Sequence, residues 1–502
     1  MSLLQNLEIG FATALTVQNL TLAFLGCFVG TLIGVLPGLG PLATMAMLLP
    51  LTYYFPPESA LILLAGIYYG AQYGGSTTAI LVNLPGESSS AVTCIDGHQM
   101  ARNGRAGSAL AIAALASFAA GTIATVVVAL FAPTLSVVTL YFTPADYFSL
   151  MLFGLVGATA LSSGSQLKSV GMVLLGILLG LIGIDINSGA QRFTVGSVKL
   201  LDGIEFVPLA IGIFGLADIL SNLMRGSEAG KDVLASRITR LWPTKEEFAR
   251  AWPAALRGTG IGSALGILPG GGALLSSFAS YTLEKKISKT PERFGKGAVE
   301  GVAGPEAANN AGAQTSFIPM LTLGIPSNAV MAIMIGALMI QGIAPGPRVM
   351  TQRPELVWGL IASMWIGNIM LVVINLPLVG LWVSLLRIPY SILFPAIVLI
   401  CCIGAYSVSN SPFDILLAGV LAFLGFLFIR YECPPAPLAL GFILGPMMEE
   451  YFRRAMLLSR GSLGTFVTHP VSLVLLILAA VLAVSMALPS VGRRREQVFQ
   501  ED

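Results

Sequence analysis

Most of this chain runs apolar at every position, with neither the two-residue alternation of a half-buried strand nor the charged face of a soluble helix. Such runs lie near 16–36, 58–84, 107–131, 144–164, 168–185 and 206–224. They resume near 255–268, 306–325, 327–344, 356–386, 388–408, 412–430, 435–448 and 466–488. Their length and polarity predict membrane helices. Charge is correspondingly sparse: between Glu8 and Asp96 only Glu58 and Glu87 are charged, and between Arg105 and Lys168 only Asp146. From Leu356 to Leu386 there is none. Hydrocarbon cannot satisfy exposed backbone polar groups, so these stretches must be helices, or broken helices buried against protein. Alternating segments of the outer-membrane barrel type are absent. The predicted fold class is an all-α polytopic membrane protein.

Composition sharpens this and excludes the alternatives. Charged residues make up 10% of the 502 positions, against about 25% in soluble proteins. Apolar types make up 55% and mean hydropathy is +0.83, which rules out a soluble globule, a disulfide scaffold and a disordered chain. At about 20 residues per spanning helix, the apolar content sets a ceiling of about 13 passes. The net charge of +2 gives no sign of nucleic acid. The five cysteines sit in or beside apolar runs without metal-ligand spacing, and two histidines cannot build a metal centre. The N-terminus has neither a basic region nor a cleavage site, so its first apolar run is expected to stay in the membrane. The polar interval Arg225–Arg257 carries seven Lys/Arg, four Asp/Glu and two Trp-Pro pairs, and Arg493-Arg494-Arg495 follows the last run. Both predict cytoplasmic segments. The expected organisation is a first membrane repeat over 1–224, a connector over 225–257, a second repeat with extra helices over 258–488, and a cytoplasmic tail over 489–502.

An internal repeat is the most informative feature. Gly34-Val35-Leu36-Pro37-Gly38-Leu39-Gly40 returns as Gly266-Ile267-Leu268-Pro269-Gly270-Gly271-Gly272, displaced by 232 positions. Asn83-Leu84-Pro85-Gly86-Glu87-Ser88 has its counterpart in Gly324-Ile325-Pro326-Ser327-Asn328, displaced by 241, and the charged stretch 284–296 accounts for the difference. Pro/Gly breaks at corresponding places in two halves point to the binding site of a secondary transporter, formed where broken or re-entrant helices meet near the midplane. Pro37, Gly38, Gly40, Pro269, Gly270 and Gly272 are the predicted break positions. The alternative is that Pro-Gly only marks loops between spans. Lys285, Lys286, Lys289, Arg293 and Lys296 follow the second motif, while its first-half equivalent has no Lys or Arg. That asymmetry favours inverted over parallel halves.

The polar residues flanking the breaks are the candidates for chemistry. Pro85, Gly86, Glu87, Ser88 and Ser89 in the first half, and Pro326, Ser327 and Asn328 in the second, offer hydroxyls, amides and helix ends suited to a carboxylate. Thr77, Thr78, Asn83, Asn309, Asn310 and Thr315 are candidates for a coupling ion, with helix packing as the alternative role for each. Glu87 and Glu306 are the carboxyls beside Pro breaks, either proton or cation partners or rim residues. Asp96-Gly97-His98 with Arg102 and Arg105 reads as a polar turn with a positive-inside anchor. No P-loop, nucleophile elbow, zinc-protease or kinase signature occurs, so an enzyme is not expected and no cofactor is implied.

The runs GVLPGLGPLATMAMLLPLTYYF, YYGAQYGGSTTAILVNLPGESSSAVTCIDGHQMARNGRAG, and GILPGGGALLSSFASYTLEKKISKTPERFGKGAVEGVAGPEAANNAGAQTSFIPMLTLGIPSNAVMAIMIGALMIQG closely resemble the large membrane subunit of the tripartite tricarboxylate transporters, the TctA type. The likeness covers nearly the whole chain and is strongest at 34–107 and 266–347. It implies a secondary active importer of citrate-like carboxylates in the bacterial inner membrane. Such a subunit works with a small four-helix membrane subunit and a periplasmic solute-binding protein, driven by Na⁺ or H⁺. It also implies that Pro85, Gly86, Glu87, Ser88, Pro326, Ser327 and Asn328 line the substrate site. The contrasting expectation is a passive anion channel or a structural membrane subunit.

Overall fold

The computed structural model describes residues 2–36, 40–162, 165–185, 188–225, 241–268, 272–385 and 390–487. Four predicted break residues (Pro37, Gly38, Pro269 and Gly270) lie outside them, as do 226–240 of the connector and the tail 489–502.

The chain is almost entirely helical. The first half runs α1 Leu3–Ala14, α2 Val17–Val35, α3 Pro41–Leu48, α4 Pro57–Val82, α5 Ala106–Thr139, α6 Pro144–Leu161, α7 Gln166–Gly180 and α8 Phe206–Met224. The second runs α9 Lys245–Gly266, α10 Gly272–Ile287, α11 Glu300–Thr315, α12 Phe317–Leu323, α13 Ala329–Ile340, α14 Pro354–Asn375, α15 Tyr390–Ser409, α16 Pro412–Arg430, α17 Pro435–Leu458 and α18 Pro470–Ala487. Pro41, Pro57, Pro144, Pro354, Pro412 and Pro435 open their helices, where the missing N–H costs no hydrogen bond. The one sheet among the described residues is a two-residue antiparallel hairpin pairing Gly183 with Arg192 and Ile184 with Gln191. Among the described residues, five helices are long and apolar enough to cross a membrane. Several predicted runs are shorter because prolines and glycines cut them; run 306–325 begins earlier, at Glu300, and breaks at Ser316. Run 107–131 extends instead to Thr139, through Pro133, and α9 begins inside the polar connector, capped by Thr244.

Two helix pairs form the centre, each held by glycines four residues apart. On α2, a Cβ at Gly26, Gly30 or Gly34 would sit 2.3–2.4 Å from the carbonyl oxygen of Leu63, Ile67 or Ala71 on α4. On α9, a Cβ at Gly258, Gly262 or Gly266 would sit 2.1–2.3 Å from that of Gly304, Ala308 or Gly312 on α11. The α2 and α9 glycines are displaced by 232 positions, like the first motif. The α4 and α11 partners bearing the same contacts, Leu63, Ile67 and Ala71 against Gly304, Ala308 and Gly312, are displaced by 241, like the second motif. The nine extra positions therefore enter between Gly266 and Gly304, the interval that contains the charged stretch 284–296.

The helix α5 lies between the pairs. Its Ser117 meets Glu306 and Asn310 of α11, and Phe118 and Thr122 hold the Asn368 amide of α14. Around this centre, α1 docks on α14 where Gly10 abuts the Trp358 carbonyl, and α7 docks on α17 where Gly176 abuts that of Leu438. Outward-facing residues such as Leu399, Leu416, Phe423 and Val481 are exposed, as expected for a surface that meets lipid.

Two polar clamps tie the halves together. Asp96, expected in a polar turn, is fully buried. Its carboxylate accepts from the backbone N–H groups of Gly297 and Ala298, both at 2.8 Å, and from the Tyr281 hydroxyl at 2.9 Å. Glu247, at the start of α9, accepts from Arg105 and Ser108 at the start of α5, and from the Thr244 N–H. Burial opposes ionisation of Glu247, but the Thr244 N–H and the Ser108, Arg105 and Thr244 side chains outweigh it and hold the carboxyl below its ordinary range.

Gly30→Val is expected to cost about 1–3 kcal/mol or more by forcing α2 off α4, read as a lowered thermal midpoint of the detergent-solubilised protein. Gly419→Ala on α16, where an added Cβ meets nothing within 4 Å, should change it by less than about 0.5 kcal/mol. Asp96→Ala strands two buried N–H groups and should cost at least about 3 kcal/mol in the same assay. Because the Glu247 carboxyl is depressed by folding, its stabilisation is complete above the unfolded value of about 4.3 and fades as pH falls through the folded one. Glu247→Gln should therefore melt earlier than the parent at pH 7, with the gap closing as the buffer is made more acid than about pH 4.

Candidate functional site

Four helix beginnings face one cavity of about 350 Å³. Gly40, the N-cap of α3, lines it with Pro41 and Leu42, and Gly272, Ala273 and Leu274 line it as the first turn of α10. Asn328, the N-cap of α13, contributes with Ala329 and Val330. Glu87, Ser88 and Ser89 contribute from the N-cap and first residues of the short turn 88–90. A helix start presents N–H groups with no intrahelical acceptor and the positive end of its dipole. Tyr68 of α4, Asp218 of α8, Ala158 and Ser162 at the end of α6, and Pro434, Ala436, Pro437 and Leu440 at the start of α17 complete the wall. Among the described residues no basic side chain lines the cavity, so an anion placed there would meet backbone N–H groups and hydroxyls.

The local backbone explains how the breaks reach this place. Asn83 ends α4 in the left-handed region (φ 59°, ψ 30°), and Gly324 ends α12 likewise (φ 71°, ψ 23°). The chain then turns back as Leu84-Pro85-Gly86 and Ile325-Pro326-Ser327. Gly86 rests on the end of the first ladder, where a Cβ would lie 2.0 Å from the Gly34 carbonyl oxygen and 2.6 Å from the Gly75 Cα. Only glycine fits there. Ser327 is fully buried and donates to the Ser316 carbonyl at 3.4 Å. Asn328 caps α13 by accepting from the Met331 N–H at 3.0 Å, and donates to Ser316 Oγ at 3.3 Å. Glu87 accepts from the Ser89 hydroxyl and from the N–H of Ser90, so a carboxyl already occupies that helix start.

The predicted substrate residues therefore separate into two groups. Glu87, Ser88, Ser89 and Asn328 line the cavity, together with Gly40 and Gly272 of the first motif. Pro85, Gly86, Pro326 and Ser327 stand behind it and set the course of the chain. Among the ion candidates, Thr78 donates to the Val35 carbonyl at 2.8 Å and Thr315 to that of Ala311 at 3.0 Å. Asn83 is an exposed helix end. Ser316 does for α9 what Thr78 does for α2, donating to the Gly266 carbonyl at 3.1 Å. Ser316 is not among the residues the sequence singles out, although its neighbour Thr315 is; the glycine spacing is the signal that could have found it.

A second polar centre lies inside the protein. Glu306 of α11 has no exposed surface. Its carboxyl accepts from Ser76 of α4 at 2.7 Å, from Ser117 of α5 at 3.4 Å, and from Thr93. Asn310 donates to Ser117 Oγ at 2.7 Å and to the Glu306 carbonyl at 3.1 Å, and its amide also meets Asn309. The Asn309 Nδ2 is buried with no partner. Thr77 and Ser117 also border a small cavity of about 10 Å³ beside Tyr73.

The chain is 56% identical over 502 residues, the full length of both proteins, to an "Uncharacterized 52.8 kDa protein in TAR-I ttuC' 3'region" of Agrobacterium vitis. It is 59% identical over 241 residues, 48% of this chain and all of the relative, to an "Uncharacterized protein in TAR-II ttuC' 3'region" of the same organism. No solved structure matches. Residues 20–440 match the tripartite tricarboxylate transporter TctA family. The chain is a multi-pass membrane protein of that transporter family, to which it belongs by a match over most of its length.

Proposed function

We propose that this chain is the translocating subunit of a binding-protein-dependent importer, carrying an organic carboxylate across the bacterial inner membrane on a Na⁺ or H⁺ gradient. A periplasmic solute-binding protein delivers the anion, and a small four-helix membrane subunit completes the complex. The observation that carries this reading is the convergence of the starts of α3, α10, α13 and the 88–90 turn on one cavity with no basic side chain in its wall among the described residues. Backbone N–H groups at helix starts hold carboxylates without a fixed countercharge. Release to the far side then requires breaking hydrogen bonds only, with no ion pair to separate. The two glycine ladders and paired left-handed helix ends support a duplicated unit; the Lys/Arg excess after the second motif supports halves inverted in the membrane, and Arg493-Arg494-Arg495 supports a cytoplasmic C-terminus. In such a fold the broken helices of both halves frame the substrate together.

Vesicles containing the three subunits should accumulate labelled citrate or a related carboxylate only under an inward Na⁺ or proton gradient. Flux that ignores the collapse of both gradients would mark a passive channel. Ser88→Phe, which fills the cavity from an exposed wall position, should lower apparent affinity at least about tenfold, or about 1.4 kcal/mol, while the complex still assembles. Unchanged uptake by this variant would remove the cavity as the substrate site.

A further inference from the structure

Glu306 lies outside the substrate cavity and, like Asp96, is a carboxyl with no exposed surface enclosed between the two halves. Its surroundings are unusual for a buried acid. Among the described residues no Lys, Arg or His pairs with it; hydroxyls of Ser76, Thr93 and Ser117 surround it instead. An arginine would hold the carboxyl charged, whereas a hydroxyl donates to a carboxylate and accepts from a carboxylic acid equally well. The shell therefore tolerates both protonation states. It leaves no gap for a metal ion, because the hydroxyls reach the carboxyl oxygens directly. The nearby charges are accounted for. Tyr73 and Glu87 are the titratable groups whose fields reach it from the first half. Asp96 and Glu284 pack on the first turn of α11, at Gly301 and Gly304, and are already held by Gly297, Ala298 and Tyr281, and by Arg257.

Two further observations give the carboxyl a path and a lever. The cavity beside it, of about 10 Å³, is the size of one water molecule. Ser76 and Ser117, which touch Glu306, line it, and so do Asn375, whose buried Oδ1 has no partner, and Leu241 of the connector. The lever is the 87–93 segment: Glu87, Ser88 and Ser89 face the substrate cavity, and Thr93 of the same segment bonds Glu306.

We infer that Glu306 carries the coupling proton, taking it up with the substrate and releasing it through Ser76 and Ser117 to the small cavity once the substrate has left. During loading a hydronium ion of the outer water loses an O–H bond as one forms on the carboxylate; on release that bond breaks and the proton passes to water of the inner side, moving one positive charge with the anion. This deepens the importer reading and rests on it.

The test uses the complete three-subunit transporter in pyranine-loaded vesicles with labelled citrate, succinate and tartrate as probes. Each unit of pH gradient drives about tenfold accumulation per proton. Glu306→Gln should abolish that accumulation and the accompanying pyranine signal, while exchange of labelled for unlabelled anion, which needs no net proton movement, persists. Glu306→Asp should restore part of the accumulation. Gradient-driven accumulation or proton entry retained by Glu306→Gln overturns the inference, as does loss of exchange and accumulation together without rescue by Asp. Accumulation by the parent on a Na⁺ gradient alone overturns it while leaving carboxylate import intact. An infrared pH titration of the purified complex needs no substrate: the parent should show a protonated-carboxyl band that Glu306→Gln lacks. Absence of that band overturns the inference even where no tested carboxylate is carried, a result that sinks the importer reading separately.

Discussion

Backbone-to-backbone contact between helices is the constraint on which the rest of this structure depends. In lipid, apolar side chains gain little by leaving one hydrocarbon surface for another, so helix association rests on close packing. Gly26, Gly30 and Gly34 against α4, and Gly258, Gly262 and Gly266 against α11, bring the axes close enough that a single methyl would collide with a carbonyl oxygen. Once the pairs are fixed this tightly, the ends of α4 and α12 are fixed too. The following Pro-Gly and Pro-Ser turns can fold back only along the seams the ladders create, with Gly86 on the Gly34 carbonyl and Ser327 on that of Ser316. The position of the cavity is thus a consequence of packing far from it.

Breaking a helix inside a membrane leaves backbone groups that need partners. Here hydroxyls supply several of them: Thr78 bonds the carbonyls of Gly34 and Val35 at the end of α2, and Ser316 bonds that of Gly266 at the end of α9. The orphan carbonyls are satisfied, while the helix starts beyond the breaks keep their N–H groups toward the cavity. The same discontinuities that weaken the spans as helices create the polar surface that an anion requires.

The sequence made the fold class legible because a membrane forbids most alternatives: residues 356–386, with no charge at all, have no soluble reading. It made the paired breaks legible because the Pro-Gly motifs recur in order. Helix lengths were less legible. Pro133 is tolerated within α5, whereas the chain parts at Ser316 with no proline or glycine there to announce it. Burial of single polar residues was least legible. Asp96-Gly97-His98 has the composition of a solvated turn, and only the fold shows that two N–H groups from residues 297 and 298 wait for that carboxylate. Thr78 and Thr315 resembled ion ligands, because a hydroxyl serving a carbonyl and one serving a cation have the same spelling.

The two carboxyls beside the breaks illustrate how position divides their work. Glu87 caps a helix start in the wall of the cavity, where a bound anion and its own carboxylate compete for the same positive helix end. Glu306 lies behind that wall, in a shell of hydroxyls with no countercharge among the described residues. A negative charge there is costly unless it is neutralised by a proton. Both contact one short segment, 87–93, so a change of charge at Glu306 and occupancy of the cavity act on the same piece of backbone. On the proposed reading, this shared segment lets a gradient drive a substrate that never touches the proton. The site needs no buried lysine or arginine, whose tight grip on a multivalent carboxylate would slow release.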